Sequence, residues 1–135
     1  MTQPLRLGIA GLGTVGIGVV KIIRRQAALL EVRTDRPVVI TAVSARDASK
    51  DRGVSLKDYA WETDPVALAK RNDVDVFVEL MGGHEGAAKD AIEAALATGK
   101  DVVTANKALF ARIAAVWDAR ETLDLADEQQ RVLML

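Results

Sequence analysis

Apolar residues along this chain fall into two kinds of grouping, short unbroken runs and series spaced by three and four positions. Leu5 to Ala10 is the first run and reads as a buried strand. Glycines follow at once, and then Val15, Val19, Ile22, Ile23 and Leu30 recur at helical spacing. The polar stretch from Glu31 to Pro37 ends that helix, and Val38 to Val43 is β-branched enough to predict a second buried strand. A β-α-β unit is therefore complete by Ser44.

From Ala45 to Thr63 the pattern is polar and irregular, which predicts a long loop with at most a short helical turn. Asp64 is a good N-cap with Pro65 at the first helical position, so a short helix is expected through about Arg71. Asp75 to Leu80 predicts a third strand, ended by Met81-Gly82-Gly83. Glu85 to Thr98 follows a helical pattern, with Gly99 placed for a left-handed C-cap. Asp101 to Thr104 predicts a fourth strand. Asn106 is expected to cap a helix running with one break to about Gln129, and Arg131 to Leu135 reads as an interrupted terminal strand.

Strands alternating with helices imply a parallel sheet with right-handed crossovers and helices on both faces, a doubly wound α/β architecture. The 135 residues suffice for one core, so a single domain over residues 1–135 is expected. Composition narrows the functional classes. Eighteen basic side chains nearly cancel nineteen acidic ones, which argues against nucleic acid or an anionic membrane as partner. The chain has no cysteine and one histidine, His84, so no metal site is expected. Met1 to Arg6 leads into a strand without the apolar stretch of a signal peptide, and the cytoplasm is the expected compartment.

The candidate chemistry lies at the ends of the strands. Gly11-Leu12-Gly13-Thr14-Val15-Gly16 has the spacing GxGxxG, and it leaves a predicted strand and opens a predicted helix. In a Rossmann-type dinucleotide-binding domain Gly11 permits the tight turn, Gly13 lets the backbone approach a pyrophosphate, and Gly16 allows close helix packing. The diphosphate then meets unpaired N–H groups at a helix N-terminus. A glycine-rich turn without a ligand is the plainer alternative.

Sites that prefer NAD usually end the second strand with an acid that binds the ribose 2′-OH. This chain has Ser44-Ala45-Arg46 there, and Lys50, Arg52 and Lys57 add positive charge to the loop, which favours a 2′-phosphate and so NADP, with NAD still possible. Asp47 could serve a ribose instead, and Arg46 could be a solvated loop charge. Gly82, Gly83 and Thr104 to Lys107 should line the same crevice near the nicotinamide end. Lys107 there could contact the cofactor ribose, orient a substrate hydroxyl, or point to water. Glu79 reads as a buried carboxylate holding backbone N–H groups rather than as a base, and His84 could equally be a solvated turn residue.

Three segments together resemble one family: Leu7-Gly-Ile-Ala-Gly-Leu-Gly-Thr-Val-Gly16, Val78-Glu-Leu-Met-Gly-Gly83, and Val102-Val-Thr-Ala-Asn-Lys-Ala-Leu109. The chain resembles the N-terminal part of a homoserine dehydrogenase over roughly residues 5 to 111. The resemblance implies interconversion of homoserine and aspartate semialdehyde with NAD(P)H, toward threonine and methionine. It implies that Gly11 to Gly16, with Thr14 and Val15, hold the pyrophosphate. Arg46 would then contact the adenosine end, and Lys107 would stand at the reacting end as the catalytic candidate. The family continues into a substrate and dimerisation domain with a further catalytic lysine and carboxylates, and the full-length family is expected to be homo-oligomeric. That region has no counterpart here, so the expectation is a truncated chain that binds cofactor without completing hydride transfer. A stand-alone nucleotide-binding or redox-sensing module, and another two-domain dehydrogenase acting on aspartate or a sugar, are the alternatives.

Overall fold

The computed structural model describes residues 3–82, 85–106 and 132–134. Its strands are β1 (Leu5–Ala10), β2 (Val38–Ser44), β3 (Ala60–Glu62), β4 (Val76–Glu79), β5 (Asp101–Thr104) and β6 (Val132–Met134). They form one six-stranded sheet in the order β3-β2-β1-β4-β5-β6, with every pairing parallel. Among the described residues the helices are α1 (Thr14–Arg25), α2 (Ala27–Thr34), α3 (Pro65–Ala69) and α4 (Glu85–Ala97). The chain steps outward from β1 through β2 to β3, then returns past β1 to β4. The reversal therefore lies between β1 and β4, where a crevice opens at the carboxyl ends of an open parallel sheet.

Strand residues alternate between the two faces, as the pleat requires. Leu7, Ile9, Val43, Val76 and Val78 face α1, where Ile17, Val20 and Ile23 cover them. Ala10, Ala42, Phe77 and Val102 face the other way, against Leu68 of α3 and Ala88, Ala91, Ile92 and Ala95 of α4. The alanines of α4 have no side chain beyond Cβ, so that helix settles close to the sheet. Among the described residues no buried side-chain nitrogen or oxygen lacks a hydrogen-bond partner. Among them also, no helix is long and apolar enough to cross a membrane.

Four expected strands stand within a residue or two of their expected bounds, and the terminal run is a strand over Val132–Met134. Asp64 caps α3 as expected, its carboxylate accepting from the Val66 N–H at 2.9 Å. Gly99 is left-handed, with φ +84°. Two expectations need correction. Residues 60–62 are not loop but strand β3, which pairs with β2 through Ala42, Val43 and Ser44. A three-residue edge strand is too short to show alternation, and its pairing partner decides it. The single helix expected from Val15 to Leu30 divides at Gln26 (φ −105°, ψ 18°) into α1 and α2. The buried positions of α1 end at Ile23, and α2 buries no residue, so beyond that point no core holds one axis. The helix expected from Asn106 to about Gln129 lies outside the described residues.

The stretch between β2 and β3 is a loop up to Tyr59, and it covers the sheet where a crossover helix would usually lie. Val54, Leu56 and Tyr59 pack against the α1-side core. Arg24 staples it: Nε donates to the Tyr59 hydroxyl at 2.8 Å, the guanidinium lies 5.1 Å from the ring centroid, and Nη2 donates to the Ser55 carbonyl. Arg24→Ala should speed amide hydrogen exchange across residues 54–59 while leaving β1 and β4 protected. Uniform exchange in wild type and variant would show that the apolar contacts alone hold the loop.

At the amino end of the sheet Arg6 grips Asp75 through Nε at 3.1 Å, Nη2 at 2.9 Å and its own backbone N–H at 2.9 Å. The side-chain hydrogen bonds from Arg6 hold the Asp75 carboxyl below the ordinary 3.8. A carboxylate with a depressed folded-state pKa stabilises the fold above its unfolded pKa, and that contribution is lost as pH falls through the folded value. Asp75→Asn should lower the urea midpoint at pH 7, and the gap to wild type should close below about pH 4. A gap that persists in acid would assign the effect to geometry rather than to charge.

Candidate functional site

The end of β1 is clamped from both sides before α1 begins. Gly11 N–H donates to the Ser44 carbonyl of β2 at 2.9 Å, and Leu80 N–H donates to the Ala10 carbonyl at 2.8 Å. Gly11 has φ +101°, and a Cβ there would stand 2.6 Å from the Leu80 carbonyl carbon and oxygen. The first glycine is thus required twice, by its left-handed backbone and by the close passage of the β4 exit. Gly16 is required by space alone: a Cβ would fall 1.8 Å from the Gly11 oxygen. That close approach is to the turn's own carbonyl rather than to the body of the strand.

Gly13 differs from both. Apart from Gly13 itself and its two chain neighbours, no atom lies within 4 Å of the position its Cβ would take. It is the N-cap of α1, without a side-chain cap and without an acidic residue in the first helical turn. The N–H groups of that turn have no intrahelical acceptor, so they present positive potential to whatever occupies the space.

That space belongs to a cleft of about 380 Å³ at the carboxyl ends of the strands. Of the residues expected in the site, Gly11, Leu12, Gly13, Ser44 and Arg46 border it. Leu12 and Ser44 are buried, at 6% and 3% exposure, so Leu12 meets the cleft from a side chain seated in the core. Arg46, two residues beyond Ser44, is exposed where it borders the cleft. Thr14, Val15 and Gly16 do not border the cleft: Thr14 and Val15 are exposed in the first turn of α1, and Gly16 is buried beneath it. Gly82 (φ +59°) and Asn106 stand just beyond β4 and β5, also off the cleft wall. Lys107, Gly83 and His84 lie outside the described residues.

The positive charges expected to act together are separated. Lys50, Arg52 and Lys57 border a different hollow, of about 660 Å³, built around Trp61, and the Arg52 guanidinium lies 5.4 Å from a Trp61 ring centroid. Arg46 is therefore the basic residue of that loop that borders the cleft. Asp47 is engaged locally, its Oδ1 accepting from Ser49 N–H at 2.9 Å and from the Ser49 hydroxyl at 2.6 Å. Those two bonds lower its pKa, so it stays ionised as a turn-former.

Ala45, Thr63, Pro65, Leu80, Met81 and Ala87 also border the cleft, and none of them is among the site residues expected from the sequence. Thr63 and Pro65 had a signal, because they directly follow β3. Reading residues 60–62 as a strand would have placed them at a carboxyl end, where ligands of such sheets lie.

Beneath the far side of the cleft sits Glu79, fully buried at the end of β4. Its Oε1 accepts from Met81 N–H at 2.8 Å, and its Oε2 accepts from the Thr104 hydroxyl at 2.5 Å. The Thr104 oxygen accepts in turn from Asn106 N–H at 3.1 Å. The Glu79 carboxylate thus holds one backbone N–H directly, that of Met81, and reaches a second, that of Asn106, only through the Thr104 hydroxyl of β5.

A parallel sheet that reverses beside β1, with a glycine turn opening onto a capless helix N-terminus at the reversal, defines a dinucleotide-binding α/β domain. Comparison with known proteins identifies the kind. Residues 11–131 match the family described as homoserine dehydrogenase, NAD binding domain. A homoserine dehydrogenase of Neisseria gonorrhoeae is 37% identical over 97% of this chain and 28% of its own length, and one of Bacillus subtilis is 42% identical over 81% and 25%. The crystal structure of S. aureus homoserine dehydrogenase at pH 7.0 superposes with a TM-score of 0.80 at 34% identity, over 99% of this chain and 33% of that one. This chain belongs to the homoserine dehydrogenase family and carries its NAD-binding domain, so its cofactor class is a nicotinamide dinucleotide. It spans about a quarter of the length of those two relatives.

The glycines give a direct test of the geometry. Gly16→Ala should cost about 3 kcal/mol or more, because backbone must move, and lower Tm by roughly 10 °C. Gly13→Ala should cost under about 1 kcal/mol, the loss of a favourable N-cap. Equal melting temperatures for the two variants would contradict the turn as described.

Proposed function

We propose that this chain binds NADP(H) in the β1–β4 cleft and forms the cofactor-binding portion of a homoserine dehydrogenase, which interconverts L-homoserine and L-aspartate 4-semialdehyde toward threonine and methionine. The observation that carries the reading is the empty side of Gly13: the turn leaves room where a Cβ would stand, at a helix end that no side chain caps. A diphosphate fits such a cradle, because it brings negative charge and acceptors to unpaired N–H groups. The backbone of Gly11 to Gly16 would hold it, with Thr14 and Val15 supplying N–H groups rather than cleft wall.

Arg46 would take the adenosine 2′-phosphate. The position after β2 carries a guanidinium where an NAD site carries an acid, and a guanidinium pairs with phosphate oxygens through two parallel N–H bonds. Ser44 fixes the turn through its carbonyl and lies at the start of that wall. Gly82, Asn106 and Lys107 would flank the nicotinamide end, with Lys107 donating to the substrate oxygen or the cofactor. The bound dinucleotide supplies or accepts the hydride. This chain's part is to hold and orient it.

The substrate is a small molecule in this reading, and turnover would draw on groups beyond this chain, which spans about a quarter of the length of those two relatives. The chain alone is therefore expected to bind cofactor without oxidising homoserine. The cytoplasm is the compartment we assign, and homo-oligomerisation belongs to the complete enzyme.

Calorimetric titration with NADPH and NADH, for wild type and Arg46→Ala, tests this. NADPH should bind at least about tenfold more tightly than NADH, and Arg46→Ala should erase most of that preference, in line with loss of a charge-assisted pair. Gly13→Ala should abolish binding of both with Tm nearly unchanged. No binding of either cofactor by wild type would overturn the reading. Homoserine oxidation by the same sample would overturn the claim that chemistry needs more than this chain.

A further inference from the structure

The hydrogen-bond chain at Glu79 links the segments that follow β4 and β5 through side chains as well as backbone. Met81 borders the cleft just beyond β4, and Asn106 stands just beyond β5, next to the cationic candidate Lys107. One buried carboxylate reaches both: directly to Met81 N–H, and through the Thr104 hydroxyl to Asn106 N–H. A backbone bond from Ala105 N–H to the Glu79 carbonyl at 3.2 Å runs alongside. Glu79 and Thr104 are both fully buried, so water does not substitute for either partner without disturbing the packing.

We propose that Glu79 and Thr104 form a positioning clasp that sets the two loops for the nicotinamide half of the cofactor and not for its adenosine half. The proposal rests on the dinucleotide reading given above. Its direction follows from topology: β2 and the Arg46 wall lie on one side of β1, while β4 and β5 lie on the other. A dinucleotide bound at the reversal extends one nucleotide to each side. The clasp touches only the β4–β5 side. Glu79 and Thr104 act through Met81 and Asn106 and do not reach the cleft themselves.

The test compares NADPH with 2′,5′-ADP, which carries the adenosine half and its 2′-phosphate but no nicotinamide. Wild type should bind NADPH more tightly than 2′,5′-ADP. Thr104→Val preserves side-chain shape but removes the hydroxyl, and it should weaken NADPH about tenfold while leaving 2′,5′-ADP within about twofold. Thr104→Ser, which keeps the hydroxyl, should restore the preference. Glu79→Gln, which presents an amide N–H₂ to Thr104 or Met81, should behave like Thr104→Val and serves if that variant does not fold. Faster amide exchange at Met81 and Asn106 should accompany the loss. Wild-type binding of both ligands with equal weakening by Thr104→Val, or none, overturns the clasp alone. So does a wild type that binds the two ligands equally. A wild type that binds neither overturns the functional reading and the clasp with it.

Discussion

The packing of Gly16 against the Gly11 carbonyl is the contact on which the rest of the site depends. The missing Cβ at Gly16, which would otherwise sit 1.8 Å from that oxygen, lets α1 start immediately over the end of β1. From that starting point Ile17, Val20 and Ile23 fall on the sheet, one and two turns further along. The same contact aims the first turn of α1 across the carboxyl edge. Gly11 adds the second half of the constraint, because its own missing Cβ lets Leu80 pass at the β4 exit. Two absent methyl groups thus bring β1, β4 and the helix N-terminus to one point, and the cleft is the space left beside it.

Polar groups are then divided between the two ends of the sheet. At the amino end Arg6 and Asp75 satisfy one another, while Arg71 joins Asp73, ahead of β4, to Glu62, the last residue of β3, at 2.8 Å each. Those ion pairs are partly exposed, and they orient the segments they join rather than supply much stability. At the carboxyl end the turn at Gly13 is left without a capping side chain. The buried Glu79 is the exception there, and its carboxylate is spent on backbone and on Thr104. The result is a cleft bordered beyond β4 by Leu80 and Met81 and, on the β2 side, by the loop that carries Arg46.

Much of this was legible in the residues. The Leu5 to Ala10 run, the glycine spacing and the helical series after it describe a local unit whose conformation neighbouring residues dictate, and the structure follows them as far as the break at Gln26. Asp64 with Pro65, and Gly99, are local caps of the same kind. Glu79 was legible as a carboxylate with backbone partners, because a strand-end acid in an apolar run has few other uses. Membership of the family rested on three segments, and the match over residues 11–131 bears it out.

What the sequence by itself determined is therefore the set of elements whose signal lies within a dozen residues, and the glycine turn whose spacing encodes its backbone. Tertiary structure alone decided the rest. β3 is a strand because β2 offers it an edge, and Ala60-Trp61-Glu62 carries no period of its own. Thr63 and Pro65 reach the cleft only because β3 delivers them there, while Lys50, Arg52 and Lys57, close to Arg46 in sequence, are drawn off to the hollow at Trp61. The link from Glu79 to Thr104 spans 25 positions and exists because β4 and β5 are neighbours. Local pattern fixes which conformation a segment prefers; which segments then meet depends on strand order, and burial on both sides of the sheet is the physical term that selects it.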